Sequence, residues 1–103
     1  MPANSAAGSR GERVLFGIGS MPLATFTDDI FDAELLHASQ PVLVDFGATW
    51  CAPCRALAPV VAELARAHAG QVKMGQLDID DSPRAPTRFD VRSVPTLLLF
   101  RWD

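Results

Sequence analysis

Cysteine is scarce in this chain, and the scarcity is informative. The 103 residues hold two, Cys51 and Cys54. No second pair at similar spacing exists to complete a four-ligand zinc site. No histidine follows Cys54, where c-type haem attachment needs one; the next residue is Arg55. No cysteine is left over for a structural framework, which makes a reducing cytoplasm the natural compartment. Strong net charge is missing too. At −3 there is no electrostatic case for nucleic acid or for an anionic membrane as partner. No apolar run is long enough to span a bilayer. The stretch Arg13 to Gly19 has only a superficial likeness to a signal peptide. Its apolar part is short and broken by glycine, and no A-x-A cleavage site follows. A chain of 103 residues, 49% hydrophobic, supports one domain with a small core.

What is present is organised around Asp45-Phe46-Gly47-Ala48-Thr49-Trp50-Cys51-Ala52-Pro53-Cys54-Arg55. An apolar run from Pro41 to Phe46 leads in, and an Ala-rich amphipathic segment from Leu57 to Ala69 leads out. The pattern reads as strand, tight turn, helix, with the cysteines at the junction. Cysteines three apart on one helical turn can close a disulfide with little backbone movement. The first meets the free N–H groups and positive dipole of the helix N-terminus, which favour its thiolate. The second, one turn in, is expected to be shielded. One exposed reactive thiol beside one sheltered partner suits reversible dithiol–disulfide exchange. The competing readings are half a zinc site and an inert structural bridge. A bridge closing so short a loop constrains the unfolded chain little.

In chain order, residues 1–20 are rich in Gly, Ser and Ala and read as a flexible leader, with the domain spanning 21–103. Met21 is a candidate start. Leu23 to Phe26 reads as a short strand. Thr27-Asp28-Asp29 offers caps to a helix carrying Ile30, Phe31, Leu35 and Leu36, stopped at Gln40-Pro41. His37 and His68 read as solvated helix-end residues. Val42 to Phe46 fits a strand buried on both faces. Asp45 breaks its apolar run. A carboxylate there is costly unless it is paired, protonated or useful, and its place just before the cysteines points to function. The plainer alternative is an edge residue facing solvent.

The second helix is expected from about Cys51 to Ala69. Pro53 lies in its first turn, Pro59 should kink it, and Leu57, Val60, Val61 and Leu64 form its buried stripe. Gly70 is the natural cap. Val72 to Ile79 reads as a strand whose alternation slips at Gly75-Gln76, from burial on both faces or from a bulge. Ser82-Pro83 reads as cap and first-turn proline of a short helix from Arg84 to Phe89. Arg84, Arg88 and Arg92 read as a solvated basic edge. The βαβ order from Val42 to Ile79 implies a parallel core.

Val42-Leu43-Val44-Asp45-Phe46, Trp50-Cys51-Ala52-Pro53-Cys54 and Pro59 resemble the thioredoxin family. A second stretch agrees: Asp78-Ile79-Asp80, then Val94-Pro95-Thr96-Leu97-Leu98-Leu99-Phe100. The resemblance covers roughly Leu23 to Phe100. It implies an α/β fold, a thioredoxin-like α/β/α sandwich with a mixed central sheet. It implies protein-disulfide reduction by Cys51 and Cys54, with Asp45 moving a proton at Cys54. Trp50, Ala52, Pro53, Val94 and Pro95 would form the substrate groove, with a cis bond before Pro95. No cofactor and no metal is expected. The implied partners are an NADPH-dependent thioredoxin reductase and disulfide-containing proteins.

Three departures stand out. Gly47 replaces the Trp or Ser common in the family, and Gln76 replaces the common Lys. The sequence also ends at Arg101-Trp102-Asp103, so the family's final strand and helix are expected to be lacking. That would leave a bare sheet edge open to self-association. The alternative function is a truncated, non-catalytic peptide-binding module. It would survive Cys→Ser changes, whereas an oxidoreductase needs the reversible Cys51–Cys54 couple.

Overall fold

The computed structural model describes residues 23–101. The expected leader, Met21 and the last two residues lie outside them. The elements run β1 (Leu23–Thr25), α1 (Phe31–Leu36), β2 (Val42–Gly47), α2 (Ala52–Ala67), β3 (Lys73–Asp78), α3 (Arg84–Arg88) and β4 (Thr96–Phe100). One four-stranded sheet has the order β1-β3-β2-β4. β3 pairs in parallel with β1 and with β2, and β4 pairs antiparallel to β2. The expected mixed sheet with a parallel βαβ core is therefore present.

β2 lies inside the sheet with helices packed over both faces, which is why it is apolar on both. Val42, Val44 and Phe46 point to one face and join Phe26, Phe31, Leu35, Leu77 and Ala85 in the main core. Phe31 anchors it. Its ring meets Phe26 and Phe100 edge-on, at 6.3 and 5.9 Å between centroids. These contacts fasten α1 across both ends of the sheet. The opposite face carries α2, whose Val61 and Ala65 close on Met74 with Leu23, Leu43 and Leu57 around them.

The slip in alternation at Gly75-Gln76 reflects a centrally placed strand with regular register and not a bulge. Gly75 lies directly beneath Phe26: a Cβ there would come within 2.6 Å of the ring. Gly70 takes φ +89°, a conformation open to glycine, two residues past the α2 C-cap at His68. The helix continues through Pro59.

Three local expectations are corrected. The buried stripe of α2 is Val61 and Ala65 flanked by Leu57, while Val60 and Leu64 are exposed. The helix meets the sheet along an i, i+4 line, and the neighbouring line faces outward. The cap of α3 is not Ser82. Asp28 caps it from across the molecule, its carboxylate accepting from the backbone N–H of Arg84 and Ala85 at 2.9 Å each. Ser82 Oγ instead accepts from the backbone N–H of Asp28 at 3.0 Å. The Thr27-Asp28-Asp29 run therefore supplies no side-chain cap to α1. Arg84, Arg88 and Arg92 form the expected exposed edge, each beside a carboxylate of Asp28 or Asp29, Asp32 and Asp90 respectively.

Candidate active site

The C-terminal end of β2 delivers the chain into the turn Ala48–Trp50 and then into α2. Cys51 is the N-cap of that helix, in extended conformation (φ −89°, ψ 105°). Its Sγ accepts the backbone N–H of Cys54 at 3.1 Å, taking one of the orphan donors of the first turn. Ala52 and Pro53 occupy the first two helical positions, where the missing N–H of proline costs nothing. Cys51 and Cys54 are joined as a disulfide, with Cα atoms 5.2 Å apart.

The expected contrast in exposure is not what this disulfide form has. Cys51 is 4% exposed, and Cys54 is the half-buried member of the pair. The cause is Gly47. A Cβ built there would lie 3.5 Å from both Cβ and Sγ of Cys54, in ordinary contact. Without it that flank is open, and a cavity of about 270 Å³ lies alongside.

Asp45 is inside β2, 8% exposed, and lines the same cavity. It does not face solvent at an edge, since β2 is central. Its Oδ1 has no hydrogen-bond partner. Desolvation by burial pushes its carboxyl above the ordinary aspartate value. Parallel register sets Gln76 opposite it on β3. Gln76 is exposed and brings no charge to lower that value.

Trp50 is 65% exposed, and its indole Nε1 donates to Asp80 Oδ2 at 2.7 Å. Asp78 Oδ1 in turn accepts the backbone N–H of Asp80 at 2.9 Å. Arg55 donates to the carbonyl of Thr49 at 2.6 Å, tying α2 back to the turn. Asp80 and Arg55 were not picked out by sequence reasoning. The Asp78-Ile79-Asp80 motif was the available signal, since it sits where β3 ends and Asp78 holds the turn that carries Asp80.

The peptide bond Val94–Pro95 is cis, as the resemblance implied. Pro95 immediately precedes Thr96, whose register partner is Phe46. Val94 and Pro95 therefore reach the same end of the sheet as the cysteine turn, and both are half-buried. Among the described residues no group of three or more His, Cys, Asp or Glu side chains gathers as metal ligands. No helix among them is long and apolar enough to cross a membrane.

A family model described as thioredoxin matches residues 22–103. The chain belongs to the thioredoxin family. It is 48% identical over 75 residues to a thioredoxin of Thiocapsa roseopersicina, covering 73% of this chain and 82% of that protein. It is 43% identical to a thioredoxin of Acidithiobacillus ferridurans, covering 73% of this chain and 69% of that one. It is 46% identical over 78 residues to thioredoxin 1 of Synechococcus elongatus, covering 76% and 73%. This thioredoxin-family chain carries a bonded Cys-x-x-Cys pair at a helix N-terminus and is a thiol–disulfide oxidoreductase of the thioredoxin type. The family and the bonded pair together do not favour a non-catalytic peptide-binding module.

Proposed function

We propose that Cys51 is the attacking thiol and Cys54 the resolving one. The observation carrying this is the seat of Cys51 as N-cap of α2, its sulfur accepting the N–H of Cys54. In the dithiol form the same N–H and the helix dipole stabilise a Cys51 thiolate. That thiolate attacks a disulfide of a protein substrate, giving a mixed disulfide and releasing one substrate thiolate. Cys54 then attacks Cys51 Sγ, the second substrate thiolate leaves, and the Cys51–Cys54 bond closes. Asp45 takes the proton of Cys54 as that attack begins. Burial pushes its carboxyl above the ordinary aspartate value, which favours its taking up a proton.

Trp50, Ala52, Pro53, Val94 and Pro95 form the substrate surface in this reading. Trp50, Ala52 and Pro53 are exposed around the disulfide, and Val94 and Pro95 come to the same sheet end. An extended substrate segment pairs there with backbone groups. Disulfide-bonded proteins are the substrate class. An NADPH-dependent thioredoxin reductase recharges the pair, in a cytoplasmic setting. Residues 1–20 form a leader and 21–103 the domain.

Trapping tests the roles. A Cys54→Ser chain should accumulate a mixed disulfide through Cys51 when mixed with insulin, visible as an intact-mass adduct. A Cys51→Ser chain should form far less with the same protein. Equal or reversed adduct yields would show that the roles are misassigned.

A further inference from the structure

Arg55 grips the segment ahead of α2 at two points. Its backbone N–H donates to the carbonyl of Cys51 at 3.1 Å, and its guanidinium Nη1 donates to the carbonyl of Thr49 at 2.6 Å. Those two carbonyls lie on either side of Trp50. The indole itself is tied to Asp80, just past the end of β3. Trp50 is thus held by its side chain from β3 and by its flanking peptides from α2. The bond to Cys51 is ordinary helix closure, open to most residues. The bond to Thr49 needs a long donor side chain at this position, and a charged donor strengthens it. Gly47, Thr49 and Arg55 all line the cavity beside Cys54. Position 47 has no side chain to fill that space, so on this flank a hydrogen bond joins turn to helix where packing is missing. Thr49, Trp50 and Arg55 are exposed, so the tie lies at the surface.

We propose that Arg55 is a positioning residue for protein substrates. It fixes the Thr49 carbonyl and through it sets Trp50 beside the cysteine pair. The inference rests on the oxidoreductase reading and adds a specificity-determining residue to it. Arg55 takes no part in the sulfur chemistry. Trp50 is 65% exposed, and holding it in place beforehand spares the ordering that a loose turn would undergo on binding. A protein substrate that covers Trp50 gains from this. A small disulfide that reaches only the sulfurs gains little. Arg55 therefore favours protein disulfides over small ones.

The test follows oxidation of the reduced full chain by insulin and, separately, by 2-hydroxyethyl disulfide, as second-order rate constants. Arg55→Met should lower the insulin constant about threefold or more and the small-disulfide constant by less, so that their ratio falls. Arg55→Lys keeps a charged donor and should recover part of that ratio. Asp80→Ala releases the same indole from the other side. The double variant should therefore depart from the product of the two single effects by about twofold or more. Equal losses on both disulfides would overturn the inference, since they would mark a charge acting on the thiol. An unchanged insulin constant, an Arg55→Lys chain no better than Arg55→Met, or strictly multiplicative effects with Asp80→Ala would overturn it too. The unaltered chain separates the two readings. If it leaves insulin oxidised, the oxidoreductase reading itself fails. If it and the Arg55→Met chain reduce insulin equally fast, only the role of Arg55 is lost.

Discussion

Asp45 opposes the stability of its own strand. Its raised carboxyl value means that folding favours the protonated form. The burial penalty is absent below the unfolded-state value and grows with pH until the folded-state value is passed. Wild-type stability should therefore fall as pH rises from about 4 toward neutrality. Asp45→Ala should flatten that dependence and be the more stable form at pH 7, while slowing disulfide exchange about tenfold or more. Urea melts at pH 4 and pH 7 with insulin kinetics check this; a destabilised, fully active variant would contradict it. Trp50 is held by Asp80. Asp80→Ala should free the indole and lower kcat/KM for protein disulfides a few-fold, with little change in stability, an exposed hydrogen bond being worth about 1 kcal/mol. Insulin kinetics and a thermal melt together measure it. The cysteines and Asp45 were legible because each breaks a local pattern. The exposure of the pair was not. On the Cys54 side it depends on what a glycine four residues upstream of Cys51 leaves uncovered, and spacing carries no such information.

Among the elements, β3 shows why pattern reading faltered. Core packing meets β3 on both faces, at Leu77 on one and Met74 on the other, which weakens the alternation, so Gly75 reads as a slip until Phe26 is seen above it. Gly75→Ala should cost about 1–3 kcal/mol through overpacking against that ring. Equilibrium unfolding measures it; a neutral result would mean that Phe26 moves aside freely. α3 is capped by a residue 56 positions distant. Desolvation raises the Asp28 carboxyl value. The N–H groups of Arg84 and Ala85 and the Arg84 guanidinium outweigh it and hold the value below the ordinary one. The stability this supplies is present above the unfolded-state value and is lost as pH falls through the folded-state one. Asp28→Ala should thus cost about 0.5–2 kcal/mol at pH 7 and progressively less in acid. A cost independent of pH would contradict the capping role. Ser82 attracted the capping assignment because sequence reasoning looks one residue back, whereas the donors of α3 find their acceptor through the fold.

At the scale of the molecule, the sheet order followed from the βαβ spacing and from the resemblance together. The antiparallel β4 was the part that spacing alone did not reach. Among the described residues β4 has β2 as its one neighbour. Leu97 and Leu99 on it are 44% and 54% exposed. The strand Thr-Leu-Leu-Leu-Phe carries no charge, proline or bulge to discourage pairing. The 103-residue chain should therefore associate with itself through β4, and Leu99→Lys should shift it toward monomer in sedimentation velocity. A wild-type chain that stays monomeric at high concentration would contradict this. The central claim concerns electrons, and one stoichiometric measurement reaches it. The fully reduced chain is mixed with excess oxidised insulin, and the chain's mass is recorded after alkylation. The account predicts one Cys51–Cys54 disulfide formed for each insulin disulfide reduced. A chain that stays fully alkylated, with insulin still oxidised, would contradict it.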